Sequence, residues 1–379
     1  MESLLAWKTL QAVKGLGNGV LSRLVLRFGS PEGVLEASIH ELTVDGGVSH
    51  SVAKRIQGKP DSELLIDVHK ERQSLEQGNF SIVTILDPIY PHRLKMIPDP
   101  PPLLYMTGTL QEADHQAVAI VGSRKSTHSG GAVTRQLSGN LAALGFTIVS
   151  GLARGIDSAA HQGAIEVGGR TIAVLGCGID RTYPSEHKNL RQQIEAHGGV
   201  ISEFPPGTAP RGHHFPERNR VISGISMGVV VTEAAAQSGS LVTARLASEQ
   251  NRDVFAVPGA VSNPMSRGPH LLIKQGAKLV EGPEDILEEL LPQLEAPFRD
   301  RIIRHPSPPS PHPSQLGQEE EALYNCVSLE PTSLEDVLSQ SSFAPAEVMS
   351  ILLTLEIKGV IRQLPGARYV KVSVKQGER

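Results

Sequence analysis

The sequence predicts an α/β protein: a doubly wound, Rossmann-like and mostly parallel sheet, with a helical N-terminal domain and a small winged-helix-like C-terminal domain. The central fold follows from short apolar runs, bounded by Gly or Pro, that alternate with helical patterns. Continuous apolar strands between helices indicate a parallel sheet covered on both faces. These runs are AVAIVG (117–122), FTIVS (146–150), TIAVLG (171–176), VISE (200–203), MGVVVTE (227–233) and DVFAVPG (253–259).

Domain boundaries are predicted from length and from proline content. At about 150 residues per domain, a chain of 379 residues has room for two or three domains. Residues 88–102 hold six prolines and indicate an extended, ordered connector. Residues 292–313 hold seven and indicate a semi-rigid linker. We predict a helical domain over 1–75, the Rossmann-like domain over 76–291, the linker over 292–315 and the winged-helix-like domain over 316–379.

The first domain carries two glycine-rich turns between helical segments. Residues 14–20 read KGLGNGV, and Gly46-Gly47 precede the basic pair Lys54-Arg55. Glycines in such turns expose backbone N–H groups that can hold a phosphate. The pattern resembles a pair of helix-hairpin-helix units, which bind DNA without sequence specificity. A small helical bundle whose glycines only permit the turns explains it equally well.

The last domain is predicted to contain three helices and a hairpin, at about 319–327, 334–339, 346–357 and 360–371. Thr332 and Glu335 have the spacing of a capping box for the second helix. The third helix carries Glu347 and Glu356, whereas a helix for the major groove is normally basic. We therefore expect this domain to contact a protein or to have a regulatory role.

Composition excludes several classes of protein. With 36 Lys+Arg against 40 Asp+Glu the net charge is −4, so nucleic acid can be bound only through a local patch. Cys177 and Cys326 cannot form a disulfide framework or a cysteine zinc cluster. The N-terminus has Glu2 and no long apolar stretch, and no run approaches the roughly 18 apolar residues of a membrane helix. We expect a cytoplasmic protein that does not enter a membrane.

Ligands of a doubly wound sheet bind beyond the carboxyl ends of its strands, and the predicted loops there carry arginines. Five arginines at one edge of an acidic protein form a patch suited to phosphates. Phe215 lies among them and can stack on an unpaired base or anchor the following helix in the core. The candidates for phosphate contacts are Arg124, Arg154, Arg211, Arg218 and Arg220.

A second anion site is predicted where a helix begins near Leu241. Ser238, Gly239, Ser240 and Thr243 combine small residues with a helix N-terminus, which favours phosphate, although Ser240 could simply cap the helix. There is no GxxxxGK[ST] motif, and the glycine pair at 176–178 is only a fragment of the dinucleotide fingerprint. An NAD or FAD site and a P-loop ATPase are therefore not expected, and no cofactor is predicted, while a nucleotide or a phosphate at the Ser238–Ser240 loop stays open.

Catalysis and metal binding are not expected. Asp157 is most simply the N-cap of a helix, with His161 four residues later on the helix face and able to bond to it. A nucleophile–base pair would need a third orienting group, which the sequence does not indicate. The adjacent His213 and His214 would point in opposite directions on a strand, without a suitably spaced carboxylate.

Taken together, the loops resemble the DNA-processing protein A family, also called Smf. The resemblance extends from about residue 90 to 282. The motifs that carry it are GSR (122–124), SGLARGIDSAAH (150–161), GCGID–YP (176–184), SEFPPG (202–207), FPERNRVISG (215–224), VTEAAAQSGSLVTA (231–244) and AVPG (256–259).

This resemblance implies a non-catalytic homodimeric recombination mediator of natural transformation, which protects incoming single-stranded DNA and loads the RecA recombinase onto it. Some relatives have a further lysine near the YP segment, where this chain has Ser185 and then Lys188. The residues that the resemblance places at the DNA are Gly122, Ser123, Arg124, Arg154, Arg211, Phe215, Arg218, Asn219 and Arg220.

Two other classes remain open from the residues alone. A phosphate site on this fold also suits a nucleotide-binding enzyme of the lysine-decarboxylase-like or phosphoribohydrolase type, with Glu233 as its acid/base candidate. This chain has SGSLVT where those enzymes have PGGxGT. A transcriptional regulator that uses the winged helix is disfavoured by the acidic third helix.

Overall fold

The computed structural model describes residues 2–58, 62–304, 316–328, 332–357, 360–364 and 366–371. These residues form two compact units, Met1–Arg304 and His305–Arg379. In the described part of the chain, no helix combines the length and the apolar character that crossing a bilayer requires.

The first unit begins with a helical bundle. Its helices are α1 (Glu2–Ala12), α2 (Asn18–Phe28), α3 (Pro31–Glu36), α4 (Ile39–Val44), α5 (His50–Ile56) and α6 (Ser62–Glu76). Trp7, Leu10 and Leu24 are buried in the same apolar cluster as Leu104 and Val229 of the sheet that follows. The helical bundle therefore shares a core with the central sheet.

The sheet has nine strands and is mostly parallel, as the sequence predicted. The strands are β1 (Ser81–Thr84), β2 (Leu103–Gly108), β3 (Ala117–Val121), β4 (Thr147–Ser150), β5 (Thr171–Val174), β6 (Gly199–Ser202), β7 (Gly228–Val231), β8 (Asp253–Ala256) and β9 (Lys278–Leu279). Their order is β1-β2-β6-β5-β4-β3-β7-β8-β9. β1 and β2 are antiparallel to their neighbours, and the pairs from β6 to β9 are parallel. The order reverses at β3, which lies between β4 and β7, and such a reversal is where this fold binds ligands.

Helices cover both faces of the sheet. They are α7 (His92–Lys95), α8 (His128–Ala143), α9 (Ile156–Glu166), α10 (Lys188–His197), α11 (His214–Ile225), α12 (Gly239–Glu249), α13 (Arg267–Lys274), α14 (Pro283–Leu290) and α15 (Ala296–Arg304). Alternate residues of β3 enter different clusters: Ala119 packs on one face, and Val118 and Ile120 pack on the other. Burial on both faces explains why the strands are continuously apolar.

The prediction that the linker begins at residue 292 is wrong for its first part. Helix α15 forms within it, and Ile302 is buried in the same cluster as Phe146. Phe298 packs edge-on against Phe146, with ring centroids 5.1 Å apart. The prolines at the start of this segment do not prevent a helix, because Pro297 lies in its first turn. Residues 305–315 of the predicted linker lie outside the described residues.

The second unit is a winged helix, as predicted. It contains α16 (Gln318–Cys326), β10 (Thr332–Ser333), α17 (Leu334–Gln340), α18 (Pro345–Ile357), β11 (Ile361–Leu364) and β12 (Arg368–Lys371), with β12 between β10 and β11. Val337 and Leu352 are fully buried in its core. The predicted cap is displaced by one residue: Ser333, not Thr332, accepts from the backbone N–H of Asp336 at the start of α17.

Candidate nucleic-acid interface

The loops after β3, β4 and β7 meet at the carboxyl edge of the sheet. The Ser123 N–H donates to the Glu233 carbonyl at 2.6 Å, and the Ser123 carbonyl accepts from the Ile156 N–H at 3.1 Å. The Ser123 hydroxyl accepts from the Lys125 N–H at 3.0 Å. Ser123 thus joins neighbouring loops through its backbone, Gly122 packs too closely on Ile156 and the Glu233 carbonyl to admit a side chain, and the Arg124 side chain that follows is exposed.

Arg124 lies over the ring of Phe215. Its guanidinium carbon is 5.0 Å from the ring centroid, a cation–π arrangement. Phe215 is the second residue of α11, and its ring packs on the backbone of Gly176, where a Cβ would come within 2.9 Å of the ring. The loops after β3 and β5 therefore converge with the start of α11, as the sequence predicted.

Arg218 has an internal position. It is 4% exposed, and its guanidinium donates to the Gly151 carbonyl at 2.8 Å and to the Val174 carbonyl. Burial lowers the pKa of Arg218 to about 10, and the nearby Asp157 opposes that shift. The guanidinium thus ties the end of β5 to the loop after β4. The sequence suggested a phosphate contact for Arg218, whereas the structure covers this group.

Arg220 and Asn219 also face inwards. Arg220 pairs with the carboxylate of Glu203, and its Nε lies 3.6 Å from Oδ2 of Asp99. Burial raises the pKa of Glu203 to about 7, while the positive charge of Arg220 acts in the opposite direction. The Asn219 side chain donates to the Gly239 carbonyl at 3.4 Å. Both residues support the loops around the edge from inside.

Since Arg218 and Arg220 face inwards, other side chains supply the exposed positive charge at the carboxyl edge of the sheet. Arg154 is exposed but bonds to Glu186 at 2.5 Å, which offsets its charge. Sequence reasoning gave no role to Lys125 or Arg181 and left Lys188 undecided, although all three are exposed, the first two in loops already singled out and Lys188 at the start of α10. We define the cationic edge as five exposed residues: Arg124, Lys125, Arg181, Lys188 and Arg211.

Tyr183 is a further aromatic residue of the edge to which sequence reasoning gave no role. Its ring centroid is 5.4 Å from that of Phe215, at an interplanar angle of 40°. The YP dipeptide was noticed in the sequence, but its contact with Phe215 joins two distant loops. Nearby, the ring of His214 stacks on Phe204 at 4.4 Å and meets His213 edge-on, so both histidines have packing roles.

The loop at Ser238 provides the N-cap of a helix in the structure. Ser238, not Ser240, caps α12: its hydroxyl accepts from the Ser240 N–H at 3.3 Å. Thr243 is 1% exposed, and Gly239 is exposed. Capping therefore explains the two serines, and anion binding at this loop stays a prediction.

Glu233 is engaged structurally. One carboxylate oxygen accepts from the Thr127 N–H at 2.8 Å, and the other accepts from the Thr127 hydroxyl at 2.7 Å. Asn263 also donates to this carboxylate, at 3.3 Å, and Glu233 is 6% exposed. Because Thr127 is the N-cap of α8, Glu233 holds the start of that helix. The Glu233 carboxylate thus has a structural role at this edge of the sheet.

Asp157 and His161 do not form a pair. Asp157 lies inside the first turn of α9, whose N-cap is Gly155, and accepts from the Ala153 N–H at 3.3 Å. Burial raises the pKa of Asp157, and the charge of Arg218 opposes this. His161 bonds to the Thr171 hydroxyl at 2.7 Å and is fully buried. The prediction that Asp157 is the N-cap was therefore wrong, and so was the suggested bond between Asp157 and His161.

The profile of the family described as DNA recombination-mediator protein A matches residues 81–291, more than half of the chain. The chain belongs to this family. A profile for the DprA winged helix domain matches residues 306–367, which agrees with the fold of the second unit.

Similar proteins carry the names Smf and DprA. Protein Smf of Synechocystis is 36% identical over 390 residues, covering 96% of this chain and 97% of the relative. DNA processing protein DprA of Streptococcus pneumoniae is 45% identical over 224 residues, covering 59% of this chain and 78% of the relative.

Two solved structures share the fold. DprA from Streptococcus pneumoniae superposes with a TM-score of 0.63 at 38% identity, covering 76% of this chain and 97% of that one. DNA processing protein A from Helicobacter pylori gives a TM-score of 0.51 at 29% identity, covering 57% and 98%. The latter structure was described for its single-stranded DNA binding mode.

Proposed function

We propose that this member of the DNA recombination-mediator protein A family binds incoming single-stranded DNA, protects it and loads RecA onto it during natural transformation, without catalysing a reaction. The observation that carries the proposal is the stack of Arg124 on Phe215 at the carboxyl edge. It places a cation and aromatic surface together, the combination that binds phosphates and unpaired bases. The single-strand binding described for the Helicobacter pylori relative supports the same ligand.

DNA phosphates are expected to follow the cationic edge. Two of its members, Arg124 and Arg211, were expected to contact DNA, and both are exposed. If about five phosphates are neutralised, the logarithm of the binding constant falls with the logarithm of salt concentration with a slope of about −3.5. Because phosphate contacts and stacking carry little sequence information, binding is largely independent of base sequence.

The test is a titration of labelled single-stranded and duplex oligonucleotides at several salt concentrations. We expect wild type to prefer single strands, and Arg124→Ala/Arg211→Ala to bind weakly with a shallower salt slope. Lys14→Ala/Lys54→Ala is the matched control, since it removes two exposed cations next to the glycine-rich turns of the helical bundle. Loss of binding in this control alone would move the DNA site to the N-terminal bundle.

The RecA and dimer parts of the proposal need separate readouts. RecA filament formation on single strands coated by a single-strand binding protein is expected to accelerate with wild type and not with Arg124→Ala/Arg211→Ala. Light scattering at several concentrations reports the expected homodimer. A protein that binds single strands without accelerating RecA would contradict only the loading step.

A further inference from the structure

We propose that Tyr183 presents the open aromatic ring on which an unpaired base stacks, and that this ring makes the site selective for single strands. The inference rests on the proposed function and assigns a task within the same site. It differs from the expectation for Phe215 that the sequence raised. The two rings are covered to different extents.

Phe215 is partly buried, and four groups surround its ring. One edge lies against the Gly176 backbone, and the Arg124 guanidinium carbon lies 5.0 Å from the ring centroid. The guanidinium carbon of the buried Arg218 is 6.0 Å from the same centroid. Tyr183 lies on a further side, at 5.4 Å. A base that stacks on Phe215 would compete with these neighbours for its ring.

Tyr183 is the more exposed of the two aromatic residues. It is 40% exposed, although its ring contacts that of Phe215 at an interplanar angle of 40°. Phe215 therefore backs the ring of Tyr183 and limits its movement, which reduces the entropy lost when a base stacks on it. An aromatic side chain that served only the core would be covered more completely.

Charge around Tyr183 fits a nucleotide rather than an isolated apolar ligand. Arg181 precedes it by two residues and Lys188 follows by five, and both side chains are exposed. Cations along the backbone of a strand with an aromatic ring between them form the usual arrangement for unpaired nucleic acid. In a duplex the faces of the bases are stacked on each other, so this ring would be of use only to a single strand.

The experiment compares two single-stranded oligomers with the same number of phosphates, one of thymidylate and one abasic throughout. Tyr183→Ala is expected to bind the thymidylate oligomer about 5- to 150-fold more weakly, the range for a lost base–aromatic stack, and the abasic oligomer as wild type does. Tyr183→Phe keeps the ring and is expected to retain wild-type affinity. Tyr183→Leu keeps apolar contact with Phe215 without an aromatic face, and is expected to behave like Tyr183→Ala.

Other results would overturn the inference. Equal losses on both oligomers would mean that Tyr183 only supports its loop, and unchanged binding by Tyr183→Ala and Tyr183→Leu would mean that no base uses the ring. Failure of wild type to bind either oligomer would instead reject the proposed function itself. Salt slopes of the variants should match wild type, because the phosphate contacts remain.

Discussion

The carboxylate of Asp99 accepts a hydrogen bond from the backbone N–H of Gly19 at 2.7 Å, across 80 residues of sequence. Gly19 is the second residue of α2, whose own N-cap, Gly17, has no side chain to offer. Asp99 therefore caps α2 from the connector before β2. One of the two glycine-rich turns that could have held a DNA phosphate thus already faces a carboxylate of its own chain.

This contact predicts a stability effect for Asp99. Asp99→Ala removes the cap of α2 and is expected to lower the free energy of unfolding by about 0.5–2 kcal/mol, while Asp99→Asn keeps an acceptor and loses less. Urea denaturation of the full chain measures both. Asp300→Ala, an exposed change elsewhere in the same unit, is the control and should stay within about 0.5 kcal/mol of wild type. An unchanged Asp99→Ala would contradict the capping role.

A buried charge cluster makes a second link between the bundle and the sheet. The Lys8 ammonium lies 2.9 Å from the Glu71 carboxylate, which accepts from the Tyr105 hydroxyl at 2.8 Å. All three side chains are buried, and burial raises the pKa of Tyr105, with the charge of Glu71 adding to the effect. Charge pairs in such surroundings depend on each other strongly.

Lys8→Met alone is therefore expected to cost about 3–5 kcal/mol, because it leaves the Glu71 carboxylate buried without its cation. The double variant Lys8→Met/Glu71→Leu is expected to recover much of that loss. A double-mutant cycle, followed by denaturant unfolding, measures the coupling. Single-variant costs that simply add would show that the two charges act independently.

The arginines at the carboxyl edge separate into two groups with different expected phenotypes. Arg218→Ala leaves the Gly151 and Val174 carbonyls without their donor and removes the cation that acts most strongly on the buried Asp157, so a loss of about 3–5 kcal/mol in unfolding free energy is expected. Arg124→Ala should change stability by no more than about 0.5 kcal/mol and weaken DNA binding instead. Denaturation and DNA titration on both variants test this separation. A stable Arg218→Ala variant with weak DNA binding would return Arg218 to the DNA-contacting group.

The sequence predicted the position of the carboxyl edge better than it predicted the roles of the side chains there. Strand ends could be predicted because buried parallel strands are continuously apolar, so the loops with Arg124 and Arg154 were identifiable. The inward position of Arg218 could not be read from residue type, although its spacing of three from Phe215 puts both on one face of a helix. Tyr183 was missed since its contact with Phe215 depends on how two loops fold together.

In the predicted linker, two features of the sequence favoured different structures. Prolines dominated the prediction for 292–315, while Phe298 and Ile302, four residues apart, had the spacing of one apolar helix face. The helix forms because that face packs on the core near Phe146. Burial against the core thus determined the helical structure of a segment whose local composition favoured an extended chain.

His161 gives the chain a predicted sensitivity to acid. Thr171 Oγ1 donates to the Ile148 carbonyl at 2.8 Å, so it accepts from His161 Nδ1–H, and the imidazole is neutral with Nε2 unprotonated. Nε2 is buried and has no hydrogen-bond partner among the described residues. Burial lowers the pKa of His161 to about 3, and the neighbouring charges of His187 and Arg218 act in the same direction.

The sign of the effect follows from proton uptake. Below an ordinary histidine pKa of about 6.5 the unfolded chain binds a proton that the folded protein refuses until about pH 3. The contribution of His161 to stability is thus complete above about pH 6.5 and falls as the pH drops, with a limiting slope of about 1.4 kcal/mol per pH unit. Unfolding free energies of wild type and His161→Asn, measured between about pH 4 and 8, should diverge in this way, because other titrating groups cancel in the difference. A His161→Asn curve that runs parallel to wild type would show that the pKa of His161 is not lowered in the folded protein.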